Sequence, residues 1–119
     1  MKSKEAQEQS ILIQWCKMQE NIYPALKYIY AIPNGGYRNK IEAKNLKLQG
    51  VKSGVPDLFL SFPVDMYHGL YIEMKYGKNK PTEHQEEWIK RLEAVGYKCV
   101  VCYSATEGIE AIKKYLHIK

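Results

Sequence analysis

Two side chains capable of chemistry, Glu73 and Lys75, stand two positions apart in the apolar segment LYIEMKY. The apolar and aromatic residues of this segment predict a β-strand. Because side chains alternate between the faces of a strand, Glu73 and Lys75 share one face. On an exposed face or an edge strand they would form an ordinary surface ion pair. On a buried face the carboxylate needs a compensating partner, which Lys75 or a divalent cation could supply.

Asp57 supplies a second carboxylate, directly after Pro56 and at the start of the apolar segment DLFLSF. Aspartate is uncommon in strands, so one interpretation is a simple strand cap. About fifteen residues separate it from Glu73, which is enough chain for a strand-turn-strand hairpin. If the two strands are neighbours, the carboxylates converge and raise each other's pKa. Mg²⁺, which binds one or two carboxylates together with water and phosphate, would relieve that repulsion.

These three residues fit the hydrolysis of a phosphodiester bond. The reaction needs charge stabilisation at the phosphate, an activated water and assistance for the departing oxygen. A metal held by Asp57 and Glu73 would meet the first two needs. Lys75 would orient or deprotonate the water, or hold a nonbridging oxygen.

The periodicity of the chain predicts one α/β domain with a mixed central sheet covered by helices. The order is α-β-(α)-β-β-α-β-α. Thr82 with Gln85, and Ser104 with Glu107, have the spacing of capping boxes. The segment YKCVVCY has the continuous apolar character of a strand buried on both faces. The predicted helices span residues 4–20, 39–50, 82–95 and 104–116, and the predicted strands span 26–32, 57–62, 70–76 and 97–103.

Composition limits the classes of protein to which the chain could belong. Its 119 residues suit a single domain spanning 1–119, and a net charge of +5 suits a polyanionic partner. Three cysteines are too few for a disulfide scaffold and favour a reducing cytoplasm. There is no apolar run of roughly 20 residues and no signal-peptide pattern, so we expect neither membrane association nor export.

The Cys99-x-x-Cys102 pair has the spacing of a zinc or redox motif. Within a strand, however, residues three apart face opposite sides, and no second Cys or His pair accompanies them. The pair is therefore interpreted as core packing. His68, His84 and His117 show no ligand spacing.

The pattern Pro56-Asp57 followed by Glu73-Met74-Lys75 resembles the PD-(D/E)xK nuclease signature. That signature is short, but its surroundings narrow the resemblance. The order and spacing of AIPNGG, QGVKSGVPDLFL, GLYIEMK and HQEEWIKRLEAVGYKCVV are similar to the VRR-NUC family, the virus-type replication-repair nuclease domain. The similarity covers roughly residues 5 to 116 and is with the small stand-alone members found in phages and bacteria.

The resemblance implies a restriction-endonuclease-like fold and a set of site residues. The metal-binding acid and the catalytic pair of the family fall on Asp57, Glu73 and Lys75. A further metal-binding glutamate in the first helix matches Glu8, with Glu5 as the rival one turn earlier. A glutamine in the helix after the Glu-x-Lys strand matches Gln85, which the capping box with Thr82 explains equally well.

The segment PNGGYRNK has two interpretations. Asn-Gly is a turn signal, and a plain turn would explain it. Alternatively, Asn34, Gly35 and Gly36 let the backbone approach DNA phosphates, with Arg38 and Lys40 as phosphate contacts. Further lysines could extend this basic rim, although each is also an ordinary surface residue: Lys44, Lys47, Lys52, Lys78 and Lys80.

The function implied by the resemblance is a Mg²⁺-dependent endonuclease, with Mn²⁺ as a substitute and no small-molecule cofactor. Its expected substrate is structured DNA, branched four-way (Holliday-type) junctions in particular. A symmetric homodimer would supply two active sites in matching orientation for two nicks. The expected location is the cytoplasm of a bacterium or a phage-infected bacterial cell. The alternatives are a module that binds structured DNA without cutting it, and a nuclease directed to flaps or nicks.

Overall fold

The computed structural model describes residues 3–33 and 39–119. Helices cover both ends of this sequence and alternate with short strands between them, which confirms the predicted α/β class and its element order. The helices are α1 (Lys4–Gln19), α2 (Lys40–Leu48), α3 (Glu83–Ala94) and α4 (Ala105–Leu116), and the strands are β1 (Ile29–Ala31), β2 (Leu58–Leu60), β3 (Leu70–Met74) and β4 (Lys98–Cys102).

The four strands form one mixed sheet in the order β1-β2-β3-β4. β1 pairs with β2, and β2 with β3, in antiparallel fashion. β3 and β4 are parallel, because α3 crosses from the end of one to the start of the other. β2 and β3 are thus the neighbouring hairpin strands that the spacing predicts, and β3 lies inside the sheet.

The core lies between one face of this sheet and the helices α1 and α4. Alternation along the strands sends Leu58, Leu60 and Ile72 to that face, where each is fully buried. Leu12 of α1 meets Gly108 of α4, where an added Cβ would come within 2.6 Å of the leucine Cδ2. The absence of a side chain at Gly108 therefore allows the two helices to approach closely.

Side-chain caps fix where the helices begin. Ser3 accepts a hydrogen bond from the backbone N–H of Ala6 at the start of α1. Thr82 and Gln85 form the predicted capping box at the start of α3. At α4, Ser104 accepts from Glu107 N, but the Glu107 carboxylate accepts from the N–H of Tyr103, one residue before the cap. The second predicted box is therefore only half of the standard pattern.

All four strands are shorter than predicted, and two of them also differ from the prediction in kind. The segment before β1 forms a 3₁₀ helix over Pro24–Tyr28, because a proline at its first position favours helical dihedrals. β4 is not buried on both faces: it lies at the edge of the sheet, Lys98 is exposed, and only Cys102 among its residues is fully buried. None of the helices in 3–33 and 39–119 has the length and apolar character needed to span a membrane.

Candidate active site

Glu73 is buried near the end of the interior strand β3. Only 2% of its surface is exposed, and Lys75, one position past the end of the strand, is 8% exposed. The alternation that puts Ile72 and Met74 into the core puts Glu73 on the other face of the sheet, together with Tyr71. An exposed surface ion pair, the simpler interpretation of these two residues, is therefore excluded.

Asp57 stands opposite Glu73 across the β2–β3 pair. Leu58 pairs with Ile72, so one further step along the antiparallel register sets Asp57 against Glu73. The carboxylate Oδ2 of Asp57 accepts a hydrogen bond of 2.7 Å from the backbone N–H of Met74. This bond holds the Asp57 side chain at the end of β3, and the structure thus brings the two predicted acids together.

The pKa of Glu73 is raised from its ordinary value of 4.5 to about 8. Burial is the main cause, followed by the charge of Asp57 and a hydrogen bond with its carboxyl group. The charge of Lys75 acts in the opposite direction, and that of Glu5 adds a small further increase. With these residues alone, Glu73 is therefore mostly protonated at neutral pH.

Among the described residues, Lys75 is the cation whose charge lowers the pKa of Glu73. Its Nζ lies 3.8 Å from Glu73 Oε2, which is longer than a good hydrogen bond. The backbone N–H of Lys75 donates to the carbonyl of Cys102 at 2.9 Å, so β4 fixes the main chain at this residue. The amine thus lies beside the carboxyl group of Glu73.

The donor set fits a hard divalent cation in type. Glu73 Oε1 is buried and has no hydrogen-bond partner within the described part of the chain, and an oxygen in that position is costly without a cation or donor. Mg²⁺ accepts one or two carboxylates and fills its other positions with water and phosphate. Across 3–33 and 39–119, no group of three or more His, Cys, Asp and Glu side chains is arranged to hold a metal. Asp57 and Glu73 form a pair, and the expected trio with Glu8 is not assembled.

The two glutamates of α1 have different surroundings. Glu8 Oε1 accepts a 2.8 Å hydrogen bond from the backbone N–H of Ala105, the first residue of α4. A carboxylate at this position satisfies an N–H that has no partner in the helix and interacts favourably with the helix dipole. Glu5 is the one whose charge acts on Glu73. The predicted role of Glu8 as a metal ligand stays a prediction, and its observed contact is with α4.

Gln85 makes the contacts of its predicted capping box. Its Oε1 accepts from the N–H of Thr82 at 2.9 Å, and its own N–H donates to Thr82 Oγ1 at 3.2 Å. Its position in the first turn of α3 stays compatible with a role toward phosphate.

The predicted DNA contacts fall mostly outside the described residues: Asn34, Gly35, Gly36 and Arg38 all lie in the gap between 33 and 39. Lys40, at the start of α2, and Lys78, after β3, are exposed. Solvated lysines in these places can reach a phosphate, but the same exposure is ordinary for lysine.

The cysteines belong to the packing of the fold. Cys16, Cys99 and Cys102 are free thiols, and burial raises their pKa values to about 11, 12 and 11 respectively. Thiols with raised pKa values are poor nucleophiles and poor metal ligands near neutral pH. Core packing, as predicted for the Cys99-x-x-Cys102 pair, agrees with these positions.

The contact from Glu8 to Ala105 could not have been found from sequence spacing. It joins residues 97 positions apart, and its donor is a backbone N–H rather than a recognisable side chain. The only available sign was that Glu8 stands on the apolar side of its helix, near Leu12, which indicates a partner without identifying it.

Comparison with known proteins agrees with this geometry. The family model of the VRR-NUC domain matches residues 3–106. Among solved structures, one described as a VRR_NUC domain protein is 32% identical, with a TM-score of 0.82 over 99% of this chain and 92% of that one. A search of curated proteins gave no match. The match over most of the length, together with the paired carboxylates and lysine at the end of β3, shows that the chain belongs to the VRR-NUC family of nucleases.

Proposed function

We propose that this chain is a Mg²⁺-dependent endonuclease that hydrolyses phosphodiester bonds in branched DNA. The observation that carries the proposal is the burial of Glu73 beside Asp57 and Lys75 on an interior strand. A protein gains no stability from an unpartnered carboxylate oxygen in such a place, so the arrangement points to a ligand. Membership of a nuclease family supplies the class of reaction.

Asp57, Glu73 and Lys75 have distinct roles in this proposal. Asp57 and Glu73 would hold the cation, and the N–H of Met74 fixes the direction of the Asp57 carboxylate. When bound, a divalent cation would stabilise charge on the phosphate and lower the pKa of a water molecule. Lys75 orients the attacking water or binds a nonbridging phosphate oxygen with its ammonium group. Mn²⁺ would substitute for Mg²⁺, since both accept oxygen ligands.

Within residues 3–33 and 39–119, neither Glu5 nor Glu8 is arranged as a third ligand with Asp57 and Glu73. The acid that α1 would turn toward the cation is proposed to be Glu5, in place of Glu8. The charge of Glu5 acts on Glu73, whereas one oxygen of Glu8 is occupied by Ala105 N. Glu5 sits in the first turn of α1, where a carboxylate can turn toward a cation without disturbing the core.

The proposal also specifies branched DNA as the substrate and a homodimer as the active form. A small domain offers little surface for reading bases, which favours recognition of backbone and shape. Two symmetric nicks at a four-way junction require two sites in matching orientation, as a two-fold dimer provides. The expected setting is the cytoplasm of a bacterial or phage-infected cell.

The test is a panel of labelled four-way junction, flap, duplex and single-stranded DNA, each incubated with Mg²⁺ or with EDTA. We expect cutting of the junction only with the metal, and a mass of two chains in light scattering.

Asp57→Asn and Lys75→Ala should abolish cutting while DNA binding remains. Binding without cutting on every substrate would favour the non-catalytic module, and a preference for flaps would favour the third class. Cutting by either variant at the parent rate would refute the site.

A further inference from the structure

A basic cleft lies between the end of α2 and the first turns of α3. Its volume is about 330 Å³, and it is open to solvent. The loop after α2 forms one wall and α3 forms the other. We call it the basic cleft, and its polar and aromatic lining consists of Lys47, Lys52, Ser53, His84, Trp88 and Arg91.

The ring of Trp88 organises the cations of the cleft. Lys52 Nζ lies 6.0 Å from the ring centroid, and Arg91 Cζ lies 5.3 Å from it. Both distances are within the range of cation–π attraction. One cation comes from the loop after α2 and the other from α3, so the indole holds together charges that would otherwise repel each other.

Positive charge exceeds negative charge in this cleft. Glu87 is the acidic neighbour, with its Oε2 3.9 Å from Arg91 Nη2 and 3.9 Å from His84 Nδ1. The side chains of Arg91 and Glu87 are 61% and 52% exposed, and an exposed pair at this distance contributes little. Arg91 can therefore exchange this contact for a stronger anion, and Lys47 and Lys52 add two further charges.

The loop that leads from α2 to Asp57 packs against the cleft at Gly54. At its φ of +87°, a Cβ there would lie 2.7 Å from His84 Cδ2 and 3.0 Å from Trp88 Cδ1. Only glycine allows the loop to lie against α3 this closely. The same loop continues through the buried Pro56 to Asp57. Asp57 stands five positions after Lys52, and extended chain of that length spans at most about 18 Å.

That upper limit places the cleft within about five base pairs of duplex from Asp57, at a rise of about 3.4 Å each. DNA with a phosphate at Asp57 and Glu73 would thus bring its flanking backbone to the cleft. Lysine ammonium groups, an arginine fork and a serine hydroxyl are the usual protein contacts to phosphate oxygens. The two cations next to the Trp88 ring favour backbone over a stacked base as the occupant.

We infer that the basic cleft binds the sugar-phosphate backbone of the DNA strand flanking the bond to be cut. The inference rests on the proposed nuclease function, and it adds a substrate contact that contains no catalytic residue. Lys52 and Arg91 are the principal phosphate contacts, and Gly54 fixes the distance between the cleft and the reacting phosphate.

Binding of labelled junction and duplex DNA to the Asp57→Asn chain in EDTA isolates affinity from cutting. In this background, Lys52→Gln with Arg91→Gln removes two charges of the cleft, and Lys90→Gln is the matched control on α3. Lys90 is exposed on the same helix but does not line the cleft. We expect the double variant to reduce the slope of log affinity against log salt by about 1.8, since each phosphate contact contributes about 0.9. The control should leave most of the slope in place.

Two results distinguish a failure of the cleft proposal from a failure of the proposed nuclease function. The first result concerns the slope of log affinity against log salt, divided by the number of charges removed. If this loss is no larger for the double variant than for Lys90→Gln, the cleft does not bind the DNA backbone, whichever substrates the parent chain cuts. If the parent cuts none of the substrates but the double variant still loses slope selectively, the cleft binds DNA and the nuclease proposal fails. Circular dichroism of each variant verifies that these exposed substitutions leave the fold intact.

Discussion

Asp57 and Glu73 face each other across the β2–β3 pair, one position beyond Leu58 and Ile72, and the two carboxyl groups interact. A fully apolar pair at this position would be the more stable choice for a sheet interior. The fold instead places there a glutamate whose buried Oε1 has no hydrogen-bond partner among the described residues.

The free energy of unfolding of the metal-free chain should fall as pH rises from 4.5 to about 8. Over this interval the folded chain keeps the proton of Glu73, whose pKa is raised, while the unfolded chain has lost it. The stabilising contribution is complete below pH 4.5 and is lost once pH passes about 8. The slope reaches at most about 1.4 kcal/mol per pH unit from this group.

Urea unfolding in EDTA at a series of pH values measures the effect. Glu73→Gln should flatten the profile in this interval, whereas Glu110→Gln, an exposed substitution on α4, should not. Added Mg²⁺ should raise the stability of the parent most at the alkaline end, where the ionised carboxylate is available. A parent profile identical to that of Glu73→Gln would contradict the assigned cause.

Asp57→Asn should improve the metal-free stability of the chain while abolishing cutting. The variant keeps an oxygen that can accept from Met74 N–H, but it loses the charge that raises the pKa of Glu73. Between about pH 5 and about pH 8, its metal-free stability relative to the parent should improve, by at most about 1.4 kcal/mol for each unit by which the pKa of Glu73 falls. Cutting should be abolished at every pH. A stability difference that stays constant with pH would show that the two carboxyl groups are not coupled.

Glu5 and Glu8 should give opposite phenotypes. Glu8→Ala removes the carboxylate from the start of α4 and should cost about 1 to 2 kcal/mol of stability, with cutting per folded molecule preserved. Glu5→Gln should leave stability nearly unchanged and reduce cutting, since its charge acts on the site. Thermal unfolding and initial cutting rates of both variants provide the comparison. Loss of cutting in Glu8→Gln, at parent stability, would instead make Glu8 the metal-binding acid.

More of the fold than of the candidate site could be predicted from the sequence. Short apolar strands, proline and glycine breaks and the caps at Thr82 and Ser104 are local signals, and the observed elements follow them. Pairing of β2 with β3 follows from the hairpin spacing, which is why Asp57 and Glu73 could be placed together. Contacts between distant segments have no local sign. Glu8 with Ala105, and Trp88 between Lys52 and Arg91, depend on how the helices cross the sheet.

Gln85 can be tested for a catalytic role against its capping partner. Gln85→Ala and Thr82→Ala each break the capping box, and each should lower the stability of α3 by about 1 kcal/mol. If capping is the whole role of Gln85, the two variants will cut DNA at similar rates at a temperature where both are folded. If the side chain also contacts phosphate, Gln85→Ala will cut more slowly than Thr82→Ala at equal stability. Both substitutions remove one side of the same capping box, so the ratio of their cutting rates distinguishes capping alone from capping with phosphate contact. Slower cutting by Thr82→Ala than by Gln85→Ala would contradict both interpretations of Gln85.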